Sequence, residues 1–488
     1  MPKMPKNENI KIKWIRDVDN RIFKLDGDEI FCTICNKQIV CYRKSQLHQH
    51  MATKTHTKLA AELLGIATSV AEYEGDFNSD LCQTLIEGNI PWNVVNDPSF
   101  RTFLEKYTKN TMPDESCLRM IYLRNFYYRK LNQMQGELNN HHIWICVDLT
   151  TNMTGCNIAN FIVGKLENND MSNPSSPPYL FAAKELTNVN GSSITQFVNE
   201  SISLLGSQHE KILLLVTNGA PYMLEAGIDL KMQYPDLLHI TCLADKLNHL
   251  AEPISFAFPL VNDFINCVQQ LLTKAPYRVG YYKSTLNLEL PPEPVINKTS
   301  SWIKTAVFHV DNFESIKKVI QAFNPEDCDA IKHAQQLMEN DQLFYDLLYI
   351  KSNFEQLYLI IERLEDNPSS LKESIKLFND AEQIVRDIAG DLGNSMRDKL
   401  GEILQRNSDL MTLMNLNNIL NYNHIGNCDV GNVKRKNIIK YKFAPMTLFD
   451  VEKSFPGYKK VIVENSPNMP IYDLEKILIT YCNDNYSL

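Results

Sequence analysis

Two cysteines and two histidines near the N-terminus have the residue types and the spacing of a metal site. Cys32 and Cys35 are separated by two residues, and His50 and His56 follow after gaps of fourteen and five residues. Zn²⁺ binds thiolates and imidazoles, and a structural zinc site takes four of them in a tetrahedron. His48 is an alternative ligand, eight residues before His56. The spacing predicts a structural zinc site.

A hairpin and a helix must position these four side chains. The pattern predicts a hairpin over residues 32–40, which carries the cysteines, and a helix from Lys44 onward, which carries the histidines. The gap before His56 is at the upper limit of the usual range, so we expect the helix to kink or loosen there. These elements predict a small ββα zinc finger.

The predicted finger is basic, whereas the rest of the chain is acidic. Residues 1–62 contain twelve Lys or Arg and seven Asp or Glu, a net charge of +5, and the whole chain carries −9, so the remaining 426 residues carry −14. This asymmetry favours contact with DNA through the finger alone. The candidate phosphate contacts are the cations around the predicted zinc ligands: Lys37, Arg43, Lys44, Lys54 and Lys58.

A second candidate site is marked by polar residues near the ends of predicted elements. Asp148 ends an apolar run, Asn218 ends another seventy residues later, and Glu452 lies near the C-terminus. Carboxylates at such positions are typical of two-metal phosphoryl transfer, because Mg²⁺ needs anionic oxygen ligands. The amide of Asn218 removes one negative charge. The pattern therefore predicts a site that has lost its chemistry, with Mg²⁺ required only if residual phosphoryl-transfer activity, such as that of a nuclease, survives.

Alternating strands and helices must position these polar residues. The pattern predicts strands at 142–147, 157–165 and 179–185, then alternating helices and strands up to residue 253. That order predicts an RNase H-like mixed sheet. We expect residues 441–488 to return to this sheet and to bring Glu452 close to Asp148. A helix is predicted over 447–459 and another over 472–482.

Several segments resemble the hAT superfamily of DNA transposases, especially members with a BED-like or CGG-repeat-binding-protein-like finger. Residues 77–108 resemble the segment that follows the family's finger. Val147-Asp148-Leu149-Thr150-Thr151 resembles its first catalytic strand, and residues 214–223 resemble the second, where the family has Asp at position 218. Residues 444–455 resemble the dimerisation block that carries the catalytic Glu. The resemblance implies self-association through the C-terminal region.

Other positions depart from the family pattern. Asp245 stands in place of a site histidine, and Lys298 and Thr299 replace an Arg-Trp pair, with loss of a ring that would stack on a flipped base. Lys453 replaces an Arg and loses its bidentate fork. Asp245 is a candidate substitute for the carboxylate missing at position 218.

The expected fold class is a multidomain α/β plus α protein, in which a large helical insertion interrupts the RNase H-like sheet. The predicted boundaries are a basic arm at 1–20, the finger at 21–65, a helical linker at 66–138, the first part of the core at 139–253, the insertion at 254–430, and the last part of the core with the dimerisation region at 431–488.

The expected function is that of a catalytically inactive, transposase-derived, zinc-dependent DNA-binding protein of the nucleus, acting in transcription or chromatin. One alternative is an active hAT-type transposase that uses Asp148, Asp245 and Glu452. The other is a protein-interaction scaffold. The N-terminus is polar and no stretch approaches eighteen apolar residues, so neither a signal peptide nor a membrane span is expected. The run Val433-Lys434-Arg435-Lys436 is either a nuclear import signal or a solvated loop.

Overall fold

The computed structural model describes residues 11, 14–15, 23–26, 29–35, 37–51, 53, 56, 76–152, 154–166, 178–206, 209–273, 275–296, 298–366, 370–422, 430–431, 433–465, 469 and 471–485. The chain divides into two compact units, Met1–Arg129 and Lys130–Leu488. The predicted fold class is confirmed, since the chain combines a small N-terminal sheet, a mixed five-stranded sheet and many helices.

The first unit begins with a three-stranded antiparallel sheet and a helix. The strands β1 (Phe23–Asp26), β2 (Glu29–Cys32) and β3 (Lys37–Ile39) lie in the order β1-β2-β3, and α1 spans Lys44–Met51. The predicted hairpin is present as β2 and β3, and β1 is an additional strand. Apolar side chains from the sheet and the helix form one buried core, which includes Phe23, Ile30, Cys41 and Leu47.

The described residues of the first unit from position 76 onward are mainly helical. Asp97 starts α3 because its carboxylate accepts hydrogen bonds from the backbone N–H groups of Ser99 and Phe100, and Pro98 has the fixed φ of a first helical residue. The elements are α2 (Phe77–Glu87), a 3₁₀ turn (Trp92–Asn96), α3 (Pro98–Thr108), a helical turn (Glu115–Cys117), a π-helical segment (Leu118–Leu123) and α4 (Arg124–Leu138), which runs into the second unit.

The second unit is built on a mixed five-stranded sheet in the order β6-β5-β4-β7-β8. Strand β4 pairs antiparallel with β5 and parallel with β7, so it is central, and β7 is buried along its whole length. A strand buried on both faces needs a continuous apolar run, which explains its sequence Ile-Leu-Leu-Leu-Val-Thr. The bounds are β4 (Ile143–Thr151), β5 (Asn157–Lys165), β6 (Tyr179–Leu186), β7 (Ile212–Thr217) and β8 (Leu238–Thr241).

Helices connect the later strands and then form the predicted insertion. Between and after the strands lie α5 (Gly191–Leu205), α6 (Pro221–Gln233) and α7 (Leu243–Ala257). The insertion follows as α8 (Pro259–Thr273), α9 (Pro276–Leu286), α10 (Thr299–Asp311), α11 (Phe313–Gln321), α12 (Asp329–Met338), α13 (Asp341–Asp366), α14 (Leu371–Asp387), α15 (Gly390–Gln405) and α16 (Ser408–Tyr422). No described helix has both the length and the apolar composition of a membrane span.

The last block returns to the sheet. The Tyr458 hydroxyl lies 2.9 Å from the Thr150 hydroxyl of β4 and donates to Asn160 Oδ1 of β5 at 2.7 Å. Asn483 hydrogen-bonds both the N–H and the C=O of Leu180 in β6. The block contains a 3₁₀ helix (Arg435–Phe443), α17 (Val451–Ser454), α18 (Tyr458–Asn465) and α19 (Ile471–Asn485).

The prediction of one helix over residues 447–459 is wrong. The chain forms α17 and α18 instead, and Gly457 between them has a φ of +81°, a left-handed conformation that interrupts a right-handed helix. A Cβ at Gly457 would lie 2.5 Å from the Tyr481 hydroxyl. Glycine is therefore required both by the backbone conformation and by the close approach of α19.

Candidate metal centre and the carboxyl cluster at the sheet

The hairpin and α1 bring four potential metal ligands together in the first unit. The ligand atoms of Cys32, Cys35, His50 and His56 all lie within 4.8 Å of one another. His56 Nδ1 lies 3.3 Å from Cys35 Sγ, 3.5 Å from Cys32 Sγ and 3.2 Å from His50 Nε2. The donor set is the S₂N₂ set that structural zinc sites use.

A tight turn after α1 explains how a gap of five residues is accommodated. The helix ends at Met51, before His56. The Thr53 hydroxyl donates to the His50 carbonyl at 2.7 Å and accepts from the His56 N–H at 3.2 Å. Thr53 therefore connects the two histidines directly. The expectation that the helix loosens before His56 is confirmed.

The observed separations fit a tetrahedral zinc ion. Zinc–sulfur bonds of about 2.3 Å and zinc–nitrogen bonds of about 2.0 Å give ligand–ligand edges of roughly 3.3–3.8 Å. The three distances from His56 Nδ1 lie at or near this range, and Cys32 and His56 are almost completely buried. The cluster is therefore able to hold a zinc ion. The side chain of His48, the alternative ligand, lies outside the described residues.

Burial favours the uncharged forms of Cys35, His50 and His56 in the absence of metal. It raises the pKa of the Cys35 thiol to about 11, with a further contribution from the neighbouring Cys32. It also lowers the pKa of His56, and burial together with His56 lowers that of His50. Neutral imidazole is the form that binds a metal, whereas the thiols must lose their protons when a metal binds. Metal binding would therefore release protons.

The outer surface of the finger carries both cations and exposed apolar groups. Lys37 and Arg43 are exposed and Lys44 is half-buried, whereas Lys54 and Lys58 lie outside the described residues. Sequence reasoning missed Val40 and Tyr42, whose residues are 60% and 78% exposed in the same segment. The Gln46 side chain accepts from the N–H groups of Tyr42 and Arg43 and so fixes the start of α1.

Asp148 lies within the central strand β4, which continues to Thr151 and not only to the predicted end at residue 147, and its environment is buried. Its carboxylate accepts a hydrogen bond from the Val451 N–H at 3.3 Å. Burial raises the pKa of Asp148 to about 7, and the negative charges of Asp450 and Glu452 contribute to the shift. The last block of the chain therefore approaches Asp148 through backbone and carboxylate groups.

The other predicted residues of this site have separate environments. The Asn218 side chain accepts from the Ala220 N–H at 3.1 Å, at the start of α6. Glu452 is exposed and pairs with Lys459 at 3.7 Å. Asp245 begins α7, and burial raises its pKa, although a hydrogen bond from Cys242 opposes the shift. Among the described residues, three or more potential metal ligands converge only at the Cys32 cluster.

Two lysines and a glutamate form an ionic bridge near Asp245. Glu365 of α13 accepts from Lys298 at 3.0 Å and from Lys453 at 3.2 Å through one carboxylate oxygen. Its other oxygen accepts from Asn248 at 3.3 Å. Lys298 and Lys453 are two of the positions that depart from the hAT pattern. Sequence reasoning missed Glu365, because nothing in the local pattern of α13 indicates a contact with a residue almost ninety positions away.

Lys246 is another residue that sequence reasoning missed. It is 8% exposed, and its Nζ is buried without a hydrogen-bond partner among the residues that the structure describes. Burial lowers the pKa of Lys246 to about 7, so the amine is only partly charged at neutral pH. The sequence does indicate this burial, because Lys246 lies four and eight residues before the buried Leu250 and Ile254 and therefore on the same face of the helix.

The fold and the first site define a multidomain α/β plus α protein with an N-terminal Cys₂His₂ metal-binding module. No protein-family model matches the chain. CGG triplet repeat-binding protein 1 of Mus musculus and that of Homo sapiens are each 30% identical to it over 119 residues, which cover 21% of this chain and 71% of the relative. By this match the chain belongs to the family of CGG triplet repeat-binding protein 1.

Proposed function

We propose that the chain is a zinc-dependent, catalytically inactive DNA-binding protein. The observation that carries the proposal is the convergence of Cys32, Cys35, His50 and His56 on one point. A module with so small a core folds largely through its metal, so its folded binding surface forms only when zinc is bound. The two relatives are named for binding a CGG triplet repeat, which makes duplex DNA with that repeat the first candidate ligand.

The finger surface supplies suitable contacts for a duplex. Lys37 and Arg43 are exposed and able to meet phosphates, which position a protein but do not specify sequence. Arginine is also the residue that most often pairs with guanine in the major groove. The adjacent Tyr42 offers an apolar surface to base edges. Phosphate contacts and a limited number of base contacts together give binding that depends on salt and on sequence.

The proposal of inactivity rests on the environment of the second site. Asp148 is buried with a pKa near 7, Asn218 is engaged by the start of α6, and Glu452 is exposed beside a lysine. A two-metal mechanism holds two Mg²⁺ ions roughly 4 Å apart and needs ionised oxygen ligands that converge on both. Loss of one such contact commonly reduces a rate by about 10²–10³.

The origin and cellular setting follow from the sequence resemblance and are part of the proposal. We infer derivation from a hAT-type transposase with a BED-like finger, with domains as delimited by the sequence at 1–20, 21–65, 66–138, 139–253, 254–430 and 431–488. A DNA-binding protein of this type would act in the nucleus, in transcription or chromatin. Self-association through residues 431–488 is the remaining inference from the resemblance.

Binding of the full chain to two duplexes tests this function. One duplex carries CGG triplets and the other has the same base composition in scrambled order. We expect preference for the CGG duplex by at least about tenfold, loss of that preference with a zinc chelator, and its recovery when zinc is restored. Cys32→Ser should behave like the chelated protein, and Cys41→Ser, which alters a buried non-ligand thiol, should behave like the wild type.

Equal binding of the two duplexes with and without zinc would overturn the proposal. Zinc loading without any DNA binding at low salt would leave the interaction scaffold as the better description. Cleavage of either duplex that requires Mg²⁺ and is lost in Asp148→Asn would contradict catalytic inactivity. These three outcomes are separable, because each has its own readout.

A further inference from the structure

The acidic body of the protein contains one concentrated basic segment. Within residues 434–442 there are five cations and no acidic residue: Lys434, Arg435, Lys436, Lys440 and Lys442. The sequence alone allows two interpretations of residues 433–436, a nuclear import signal or a solvated loop. The structure folds it as a 3₁₀ helix over Arg435–Phe443, with Lys434 as its N-cap. It is therefore an ordered surface of the second unit.

The helix presents two of its cations on one exposed face. A 3₁₀ helix has three residues per turn, so residues 436, 439 and 442 share one face. Those three residues, Lys436, Ile439 and Lys442, are all exposed, whereas Tyr441 and Ala444 on the adjoining face are buried. With a rise of about 2.0 Å per residue, Lys436 and Lys442 are about 12 Å apart along the axis.

Buried side chains anchor this 3₁₀ helix to the sheet. Tyr441 is 1% exposed and its hydroxyl donates to the carbonyl of Leu213 in β7 at 3.3 Å, and Asn437 is 4% exposed. A 3₁₀ helix of nine residues is longer than such helices usually are, so tertiary anchoring of this kind must maintain it. A partner that reads an extended peptide would have to extract Tyr441 from the core. A partner that contacts a rigid surface would not.

The cations of this helix differ in how far the described part of the chain compensates them. Lys434 pairs with Asp236 at 2.6 Å, and the Lys442 ammonium lies 5.5 Å from the centre of the Phe443 ring. Across the described part of the chain, the side chains of Arg435 and Lys436 have neither an ion pair nor a hydrogen bond. We propose that this basic strip, Lys434–Lys442 (residues 434–442), contacts the phosphate backbone of the DNA that the finger selects.

The dimensions suit that partner. One strand of a duplex carries a phosphate for about every 3.4 Å along the axis, so the strip is long enough to cover three or four of them. A fixed row of cations also tolerates any base sequence, because phosphate contacts carry no sequence information. The strip thus supplies affinity, whereas the finger supplies selection. This inference rests on the proposed DNA-binding function.

A salt series with the full chain tests the strip. In the variant Arg435→Gln/Lys436→Gln/Lys442→Gln, we expect the slope of log affinity against log salt to fall by about 2–3 between about 50 and 200 mM salt, since each lost phosphate contact removes about 0.9. Preference for the CGG duplex over its scrambled counterpart should be unchanged. The matched control is Lys283→Gln/Lys318→Gln/Lys332→Gln, which removes three exposed cations from the helical insertion and should leave the slope as it is.

The outcomes separate this inference from the proposed function. An unchanged slope in the strip variant, with loss of CGG preference in Cys32→Ser, would overturn the strip and leave the finger in place. A reduced slope in the strip variant, with CGG preference retained in Cys32→Ser, would support phosphate contact by the strip and contradict sequence selection by the zinc finger. If the slope fell by the same amount in the strip variant and in the control, only total charge would matter, and the proposed role of the strip would be wrong. A strip variant that keeps its slope but fails to enter the nucleus would identify an import signal instead.

Discussion

The Cys32 cluster and the carboxyl cluster around Asp148 have opposite designs. In the finger, four ligand atoms lie within 4.8 Å of one another, and their donor set forms a neutral complex with Zn²⁺. On the sheet, Asp148, Asp245 and Glu452 have separate hydrogen bonds and ion pairs, and two of them have raised pKa values. The first site has the donor set of a zinc site, whereas the described carboxylates around Asp148 do not converge in this way.

The difference shows how a protein neutralises buried charge. Two thiolates can offset a divalent ion, so the finger gains a fold from its metal. The sheet uses other means: Asp148 carries a proton over part of the physiological pH range, and Lys298 and Lys453 share the carboxylate of Glu365. A site that contains its own cations has less need of metal ions.

The largest expected effect is the loss of a zinc ligand. Cys32→Ser should abolish high-affinity zinc binding and with it the fold of residues 23–56, because the metal contributes on the order of 10 kcal/mol in modules of this kind. Zinc content by mass spectrometry and protection of the finger from trypsin would measure both effects. Cys41→Ser should retain zinc. A Cys32→Ser protein with full zinc content would show that His48 or another group completes the site.

The next effect concerns Lys246, whose buried amine has no hydrogen-bond partner among the described residues. Its folded pKa of about 7 is below the unfolded value of 10.5, so the unfolded chain binds more protons between these values and stability rises with pH across that window. Lys246→Met should raise the free energy of unfolding at pH 7 by up to about 5 kcal/mol and remove this slope. Urea unfolding at pH 7, 8 and 9 would measure it. The exposed Lys332→Met serves as control, and a flat wild-type profile would contradict the prediction.

A somewhat smaller effect is expected at Asp148. Its folded pKa of about 7 lies above the ordinary 3.8, so the folded chain binds the additional proton and stability falls as the pH rises from about 4 to 7. Asp148→Asn keeps an acceptor for the Val451 N–H and should stabilise the second unit at pH 7 by up to about 4 kcal/mol.

Thermal unfolding with and without millimolar Mg²⁺ would measure the Asp148 effect and would test whether the carboxyl groups around Asp148 bind a metal ion. The exposed Glu326→Gln, which lies away from the sheet in the helical insertion, is the control and should change little. If Mg²⁺ stabilised the wild type and Asp148→Asn lost that gain, the carboxyl cluster would be a metal site after all.

The sequence predicted local elements well because their signals are local. The Cys32/Cys35 spacing placed the finger, and the apolar run ending at Thr217 placed a central strand within one residue. The helix over 447–459 was wrong because its interruption depends on Gly457, whose conformation is set by the approach of Tyr481. Glu365 was missed for the same reason. Contacts between distant segments leave no mark in the periodicity of either segment.

The position of Tyr458 has a consequence for synthesis of the protein. Its hydroxyl meets Thr150 and Asn160 across 308 and 298 residues of chain. At about 5–20 residues per second, a ribosome that has made β4 needs roughly 15–60 s more to deliver α18. During that interval the sheet lacks its last covering segment and exposes apolar surface to other nascent chains. We therefore expect chains that are truncated before Tyr458 to aggregate and to bind chaperones.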